Sequence, residues 1–358
     1  TECRVNKELI SDIYPCSSLQ EGLITLSVKQ RGAYVAQNIF QLSESIDLDR
    51  FKAAWQQVVN ELDMLRTRIV HTASMNFLQV VLTQQPLVWY TAGDLEEISD
   101  ETTRLPKHNG GPLTRYTIVE WKGSTARYFV WSIHHALYDG WSMRLVLRRV
   151  EDIYFGRPSR LSKISYASFI DYLLKIDTSV SDEFWKSYLT DISSSRFPQP
   201  ARSLSDQPYM ENLHGSTEIY PDALSINLTV PVLIRAAWAM LVSAYTGSDD
   251  VCFGEILTGR NIGVPGVTDI VGPTITTVPT RIRLNNESSI TDYLHEVYRI
   301  TTEMIPHQHS GLHHIKGLTM DTSLACDFQN LLVIQTAEGD TKEELWRPQA
   351  NISDKSFL

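Results

Sequence analysis

Apolar positions along this chain recur at two spacings, and the spacings outline its elements. After Asp47, residues Phe51, Ala54, Trp55, Val58, Val59 and Leu62 follow the three-and-four rhythm of an amphipathic helix. Asp47 reads as its N-cap, and Ile46 with Phe51 has hydrophobic-staple spacing. Ile69 and Val70 then open a strand, and further strands are predicted at about Phe77–Leu82, Thr114–Trp121 and Arg127–His134. A second amphipathic helix runs from about Ser142 through Met143, Val146, Leu147, Val150, Ile153 and Tyr154. Past Phe155 the chain turns loop-rich, with a short helix at about Tyr166–Leu174 and another opening at Ser181 with Phe184, Trp185, Tyr188 and Leu189. Ser193–Asp222 is rich in Ser and Pro and reads as a long surface connection. Thr229 is the expected cap of a helix that faces inward through Leu233, Ile234, Ala237, Leu241 and Val242 and stops at Gly247. Strands around Val251–Phe253 and Thr280–Leu284 and a helix at Ile290–Met304 follow. Beyond Gln335 the tail is polar and without period.

Helices and strands alternate throughout, so the predicted class is α/β, an α+β two-layer packing. The second half repeats the kinds of element found in the first. That predicts two domains, residues 1–178 and 179–358, and a length of 358 residues is enough for both. A formal net charge of -10 argues against broad nucleic-acid binding. Cys3, Cys16, Cys252 and Cys326 lie far apart with no CxxC pair, which excludes a zinc ribbon or dithiol motif and fits a reducing, cytoplasmic setting. The N-terminus is polar. The longest apolar run, around Val230–Tyr245, carries Arg235 and is too short to span a bilayer, so no membrane partner is expected.

Candidate chemistry concentrates in WSIHHALYDGWS, Trp131–Ser142. It lies where a predicted strand passes through a loop into a helix, a junction that aims side chains and leaves access. Strand alternation puts Trp131, Ile133 and His135 on one face and Ser132 and His134 on the other, so the two histidines are expected to do different jobs. A neutral imidazole suits proton handling near physiological pH. Asp139 can brace the loop or orient a histidine. Gly140 can let backbone approach a substrate and offer its amide to an oxyanion, or can simply relieve a turn. Ser142 reads as a helix N-cap rather than a catalytic hydroxyl. Arg144, Arg148 and Arg149 form a basic patch or a solvated helix face. HQHSGLHHI holds four histidines but lacks the order and carboxylates of a metal site, so no metal is assigned.

Seven segments in order give the chain a family resemblance: YPCSSLQEGL (Tyr14–Leu23), ELDMLRTRIV (Glu61–Val70), IHHALYDGWS (Ile133–Ser142), SYASFIDYL (Ser165–Leu173), VGPTITTVPTRIRL (Val271–Leu284), HQHSGLHHI (His307–Ile315) and CDFQNLLVIQ (Cys326–Gln335). Their order and spacing resemble those of the condensation domains of nonribosomal peptide synthetases, most closely the fungal type. The resemblance implies two chloramphenicol-acetyltransferase-like lobes in a V-shaped pseudodimer with a central tunnel. The family's domain is longer, so the second lobe is expected to be C-terminally truncated. It further implies amide formation: an acceptor amine attacks an acyl or peptidyl thioester on a carrier protein. His135 is the implied catalytic residue, with Gly140 beside it. His134, Asp139 and Arg281 are structural support, with Arg283 the fallback partner of Asp139, and Trp141, Ser142 and Thr276 are candidates for lining the substrate tunnel. Donor and acceptor peptidyl carrier domains and adjacent adenylation or carrier domains are the implied partners. Phosphopantetheine arises only as the carriers' arm, and the domain itself binds no cofactor. Two alternatives remain open on the residues: a terminal domain that releases its peptide by intramolecular cyclisation, and a catalytically silent carrier-docking module.

Overall fold

The computed structural model describes residues 5–29, 33–72, 77–95, 98, 109–120, 126–159, 164–193, 196–198, 213–217, 228–335 and 345–348. In chain order these form β1 (Ile10–Pro15), α1 (Ser18–Lys29), β2 (Val35–Leu42), α2 (Leu48–Glu61), β3 (Thr67–His71), β4 (Phe77–Leu82), β5 (Trp89–Ala92), β6 (Thr114–Glu120), β7 (Arg127–His134), α3 (Gly140–Tyr154), α4 (Tyr166–Leu174), α5 (Thr178–Leu189), α6 (Val230–Thr246), β8 (Asp250–Leu257), β9 (Thr276–Arg283), α7 (Ile290–Met304), α8 (Leu312–Lys316), α9 (Met320–Ala325), β10 (Leu331–Val333) and β11 (Trp346–Pro348). The fold is mixed α/β. Most of the predicted Ser193–Asp222 connection lies outside the described residues. Among the described residues no helix is long and apolar enough to cross a membrane.

The chain divides into two units. The first is formed within Thr1–Ile176, Gly263–Ile275 and Glu338–Leu358, the second within Asp177–Ile262 and Thr276–Ala337. The break after Ile176 falls near the predicted boundary, but two later segments return to the first unit, so the units are not contiguous halves.

In the first unit a five-stranded sheet runs in the order β11-β2-β7-β6-β5, beside a three-stranded sheet, β1-β4-β3. β7 lies centrally, antiparallel to both β2 and β6. A central strand covered on both faces needs apolar residues without alternation, and Phe129 to Ile133 are buried throughout, Ser132 included. α2 supplies one cover. Its Trp55 meets Phe129 and Trp131 at ring-centroid distances of 5.1 and 5.0 Å, and its Phe51 meets Phe129 edge-on at 5.2 Å. Asp47 caps α2 as expected, accepting the Asp49 and Arg50 amides at 3.0 Å. The tail expected to be patternless contains β11, which pairs with β2 and places Trp346 5.3 Å from Phe40. Three residues are too few to show a period, so only the buried tryptophan could have marked this strand.

The second unit holds a three-stranded sheet, β10-β8-β9. Against it α6 buries Val232, Ala236, Ala239 and Val242, which pack with Val251, Phe253, Ile282, Leu294 and Val297. The inward stripe is thus rotated from the predicted one, and Leu241 is exposed. The reason is Arg235: its guanidinium donates at 2.5 Å to Glu255 Oε1, a carboxylate sealed in β8 whose other oxygen accepts from Thr280 Oγ1. A buried carboxylate requires such partners, and orienting Arg235 toward it sets the rotation of the helix. The expected Thr229 cap makes no side-chain hydrogen bond, whereas Gly247 ends α6 at φ 68° as predicted.

Trp55→Ala should lower the stability of the first unit by about 3–5 kcal/mol in urea unfolding. Trp55→Phe should cost less, because the buried indole N–H makes no hydrogen bond to any described residue that the substitution could remove.

Candidate active site

β7 ends at His134, and His135 begins a single 3-10 turn, His135–Leu137. The period-two alternation expected to extend through both histidines therefore stops between them. His134 is buried. Its Nδ1 accepts the Ala136 amide proton at 3.1 Å, which leaves the ring proton on Nε2. Nε2 lies 2.7 Å from Ser27 Oγ, and that hydroxyl lies 2.7 Å from the Leu23 carbonyl. Burial, and secondarily the neighbouring His135, push the His134 imidazole down to about 4.

His135 is held by its backbone. Its N–H donates to the Tyr34 carbonyl at 2.8 Å, and its own carbonyl accepts from Tyr138 at 3.4 Å. Tyr34 sits at φ 62°, a strained conformation for an aromatic residue. The His135 ring stacks on Tyr138 at 4.8 Å and 19°. Nδ1 is shut off from solvent and is not hydrogen-bonded by any described residue, while the side chain as a whole stays partly exposed. Of the two histidines, His134 is bonded at both ring nitrogens, whereas among the described residues nothing bonds His135 Nδ1.

Asp139 is fully buried and is the N-cap of α3. Its Oδ1 accepts the Ser142 amide at 2.7 Å, and its own amide donates to Ser142 Oγ at 2.9 Å, closing a capping box. Its Oδ2 accepts the Thr274 amide at 2.9 Å and the Thr274 hydroxyl at 3.2 Å. The segment Gly263–Ile275 is fixed to the first unit at two further points: Trp141 Nε1 donates to the Thr268 carbonyl, and the Tyr166 hydroxyl donates to the Pro273 carbonyl, both at 2.8 Å. Gly272 has φ 148°, and a Cβ there would lie 2.2 Å from the Tyr166 ring, so only glycine fits.

Several expectations change accordingly. Asp139 and Arg281, expected to pair, belong to different units, and each is bonded within its own. Arg281 commits all five N–H donors inside the second unit: Nε and Nη2 to the Asp250 carboxylate at 2.7 Å each, and Nη1 and Nη2 to the carbonyls of Tyr188, Thr190 and Asp191. Burial alone would raise the Asp250 carboxyl, but Arg281 and Ser193 outweigh it and hold it below the usual range. Arg283 donates to the Thr190 carbonyl at 3.4 Å. Ser142 is the third helical residue rather than the cap, and being sealed with its hydroxyl in the capping box it lines no accessible surface. Thr276 is likewise buried, its hydroxyl on the Gln308 carbonyl at 2.8 Å. Trp141 stays partly exposed, with the Arg144 guanidinium 5.5 Å from its ring. Arg149 leaves the predicted basic patch for a bidentate bond to Glu61 at 2.7 and 2.9 Å. Gly140 is exposed with open space where a Cβ would stand, so it relieves no crowded turn. In HQHSGLHHI, His309 Nε2 meets the Gly259 carbonyl at 3.0 Å, His307 stacks on Phe184, and His314 meets Asp182 at 2.7 Å. Among the described residues no group of three or more His, Cys, Asp or Glu is placed to hold a metal ion. The sequence reading passed over Ser27, Tyr34 and Thr274. Tyr34 acts through its carbonyl and Thr274 in part through its amide, groups that residue type does not reveal.

The condensation-domain family model matches residues 10–355. Nonribosomal peptide synthetase 1 of Aspergillus fumigatus is 57% identical over 346 residues, 96% of this chain. Nonribosomal peptide synthetase 4 of Gibberella zeae is 43% identical over 361 residues, 99% of this chain. The chain spans only 6% and 5% of the lengths of those two proteins. Among solved structures, that of CT superposes with a TM-score of 0.69 at 20% identity, covering 95% of this chain and 78% of the other. A starter condensation domain of rhizomide synthetase, in complex with C8-CoA and Leu-SNAC, superposes with a TM-score of 0.67 at 16% identity, covering 90% of this chain and 78% of the other.

Because Asp139 and Arg281 bind separate partners, the stability losses of Asp139→Asn and Arg281→Lys should add to within about 0.5 kcal/mol in the double variant, as measured by urea unfolding. A larger coupling energy would restore the direct pair. His134 makes a second expectation. The unfolded chain protonates it near 6.5 and the folded chain only near about 4, so its contribution is complete above the first value and is lost as pH falls through the second. The stability difference between wild type and His134→Asn should therefore shrink by up to about 3 kcal/mol over that window.

Proposed function

The chain belongs to the condensation-domain family, and from that premise we propose that it joins an acceptor amine to an acyl or peptidyl group carried as a thioester on a partner carrier protein. The observation that carries this reading is the contrast within the histidine pair: His134 is bound at both ring nitrogens, while His135, on a backbone tied at both ends, is partly exposed and its Nδ1 is bonded to no described residue. The amine nitrogen bonds to the thioester carbonyl carbon, the carbon–sulfur bond breaks, the thiol leaves with a proton, and the amine sheds one. His135 is the group that meets that nitrogen. General-base help is worth about 10²–10⁴ in rate, and positioning of an already activated thioester can contribute as much through effective molarities of roughly 10⁵ M or more. Gly140 supplies a backbone amide in the first turn of α3, on an exposed residue with open space at its Cα, and that amide is the donor for the developing oxyanion.

The acyl group arrives on the carrier's phosphopantetheine arm, and donor and acceptor carriers with adjacent adenylation or carrier domains are its working neighbours. This chain's small share of its relatives' lengths supports such a setting.

Loaded donor carrier mixed with an amine acceptor should give amide, and His135→Ala should lower the rate by about 10²-fold or more at unchanged stability. A linear product on the acceptor marks chain transfer, and a free cyclic product marks release. Equal yields from both proteins would leave only carrier docking.

A further inference from the structure

Resting on that reading of His135, we propose that Gln20 is a positioning residue, which sets the His135 imidazole through the carbonyl of Ala136. Gln20 lies in α1, within the YPCSSLQEGL segment, and is fully buried. Its Oε1 accepts the Ser17 amide at 2.9 Å, and its Nε2 donates to the Ala136 carbonyl at 2.9 Å and to Gln79 Oε1 at 2.8 Å. The Ser17 amide can only donate and the Ala136 carbonyl can only accept, so the side-chain amide has one possible orientation. Gln79 closes the network by donating to the Pro15 carbonyl at 3.0 Å. Every polar group of the two amides that faces the turn is matched, the condition under which a buried network stiffens its surroundings.

The position of Ala136 gives this network its target. The residue's N–H goes to His134 Nδ1 and its C=O receives Gln20 Nε2, so both of its backbone groups are held by side chains. α1 grips the turn twice: Ser27 meets the residue before His135, and Gln20 meets the residue after it. With the His135 amide on Tyr34, the backbone on either side of the imidazole has no freedom left to swing the ring. Withdrawing the Gln20 donor would release the carbonyl side of that clamp while leaving the imidazole itself intact.

The test compares two deletions in one network. Gln20→Met keeps volume and removes the bond to Ala136, whereas Gln79→Met removes neighbouring amide bonds and keeps it. In the carrier-loaded amide assay, Gln20→Met should lower kcat about 10–100-fold with KM for the donor carrier within about twofold, the pattern of a misplaced group. Gln79→Met should shift the urea midpoint comparably but lower kcat less than about threefold. The ¹⁵N imidazole resonances of His135 should move in Gln20→Met and hold in Gln79→Met. If Gln20→Met does not fold, Gln20→Asn, which draws the donor back by one methylene, carries the same expectations. Parallel kcat losses in both variants, or wild-type kcat in Gln20→Met, would overturn the assignment. Active His135→Ala would remove the reading beneath it, whereas inactive His135→Ala with fully active Gln20→Met would sink the role of Gln20 alone.

Discussion

A carboxylate removed from water must be met by donors, and the site is organised around the donors that Asp139 finds. One oxygen takes the amide that opens α3, and the other takes both donors of Thr274, more than a hundred and thirty positions away in the chain. One side chain thus fixes where the helix begins and where Gly263–Ile275 lies against the first unit. The turn from His135 to Tyr138 is strung between that fixed point and the end of β7, so its geometry follows from its two anchors.

Within its own unit Asp139 is met by Thr274, seven residues before the Arg281 that the resemblance implies as its partner. The segment Val271–Leu284 contains both Thr274 and Arg281. The boundary between the units crosses it after Ile275, so its first part belongs with Asp139 and its strand belongs to the second unit. A charge-based reading selects the guanidinium, since opposite charges attract at a distance. Inside the fold the guanidinium meets a nearer carboxylate, Asp250, directly across from β9 in the paired strand, and Asp139 is matched by neutral donors. Neutral donors suffice because one amide belongs to a helix N-terminus, where the dipole favours negative charge.

Elements with long periods were legible in the sequence. α2, α4 and α7 appear where the apolar spacing and caps placed them, as do β4 and β7. Short or irregular elements were not legible: α1 mixes buried Gln20 and Leu23 with exposed Leu26 and Val28, and β11 has three residues. The rotation of α6 was misread because apolar count alone favours Leu241, while a buried ion pair through Arg235 decides the matter. At the site, residue types told which histidine to choose only with the family pattern. Alternation, the physical argument for separating them, fails at the step where the strand ends. What separates them is a change of backbone, and that change depends on partners (Tyr34, Ser27, Gln20) scattered through a segment with no periodic signature.

The neutrality of His134 follows from this arrangement and is also a condition for it. Its Nδ1 must present a lone pair to the Ala136 amide. A protonated ring would offer a hydrogen there instead, and the two donors would repel. Burial prevents that down to about pH 4, well below the range in which an exposed imidazole titrates, so the turn keeps its shape through the neutral range. The neighbouring ring contributes to the same end, since positive charge on His135 disfavours charge on His134. A pair of identical side chains is thereby divided into a fixed acceptor that shapes the turn and a partly exposed imidazole that the turn presents. The division would fail if the first histidine were as open to water as the second.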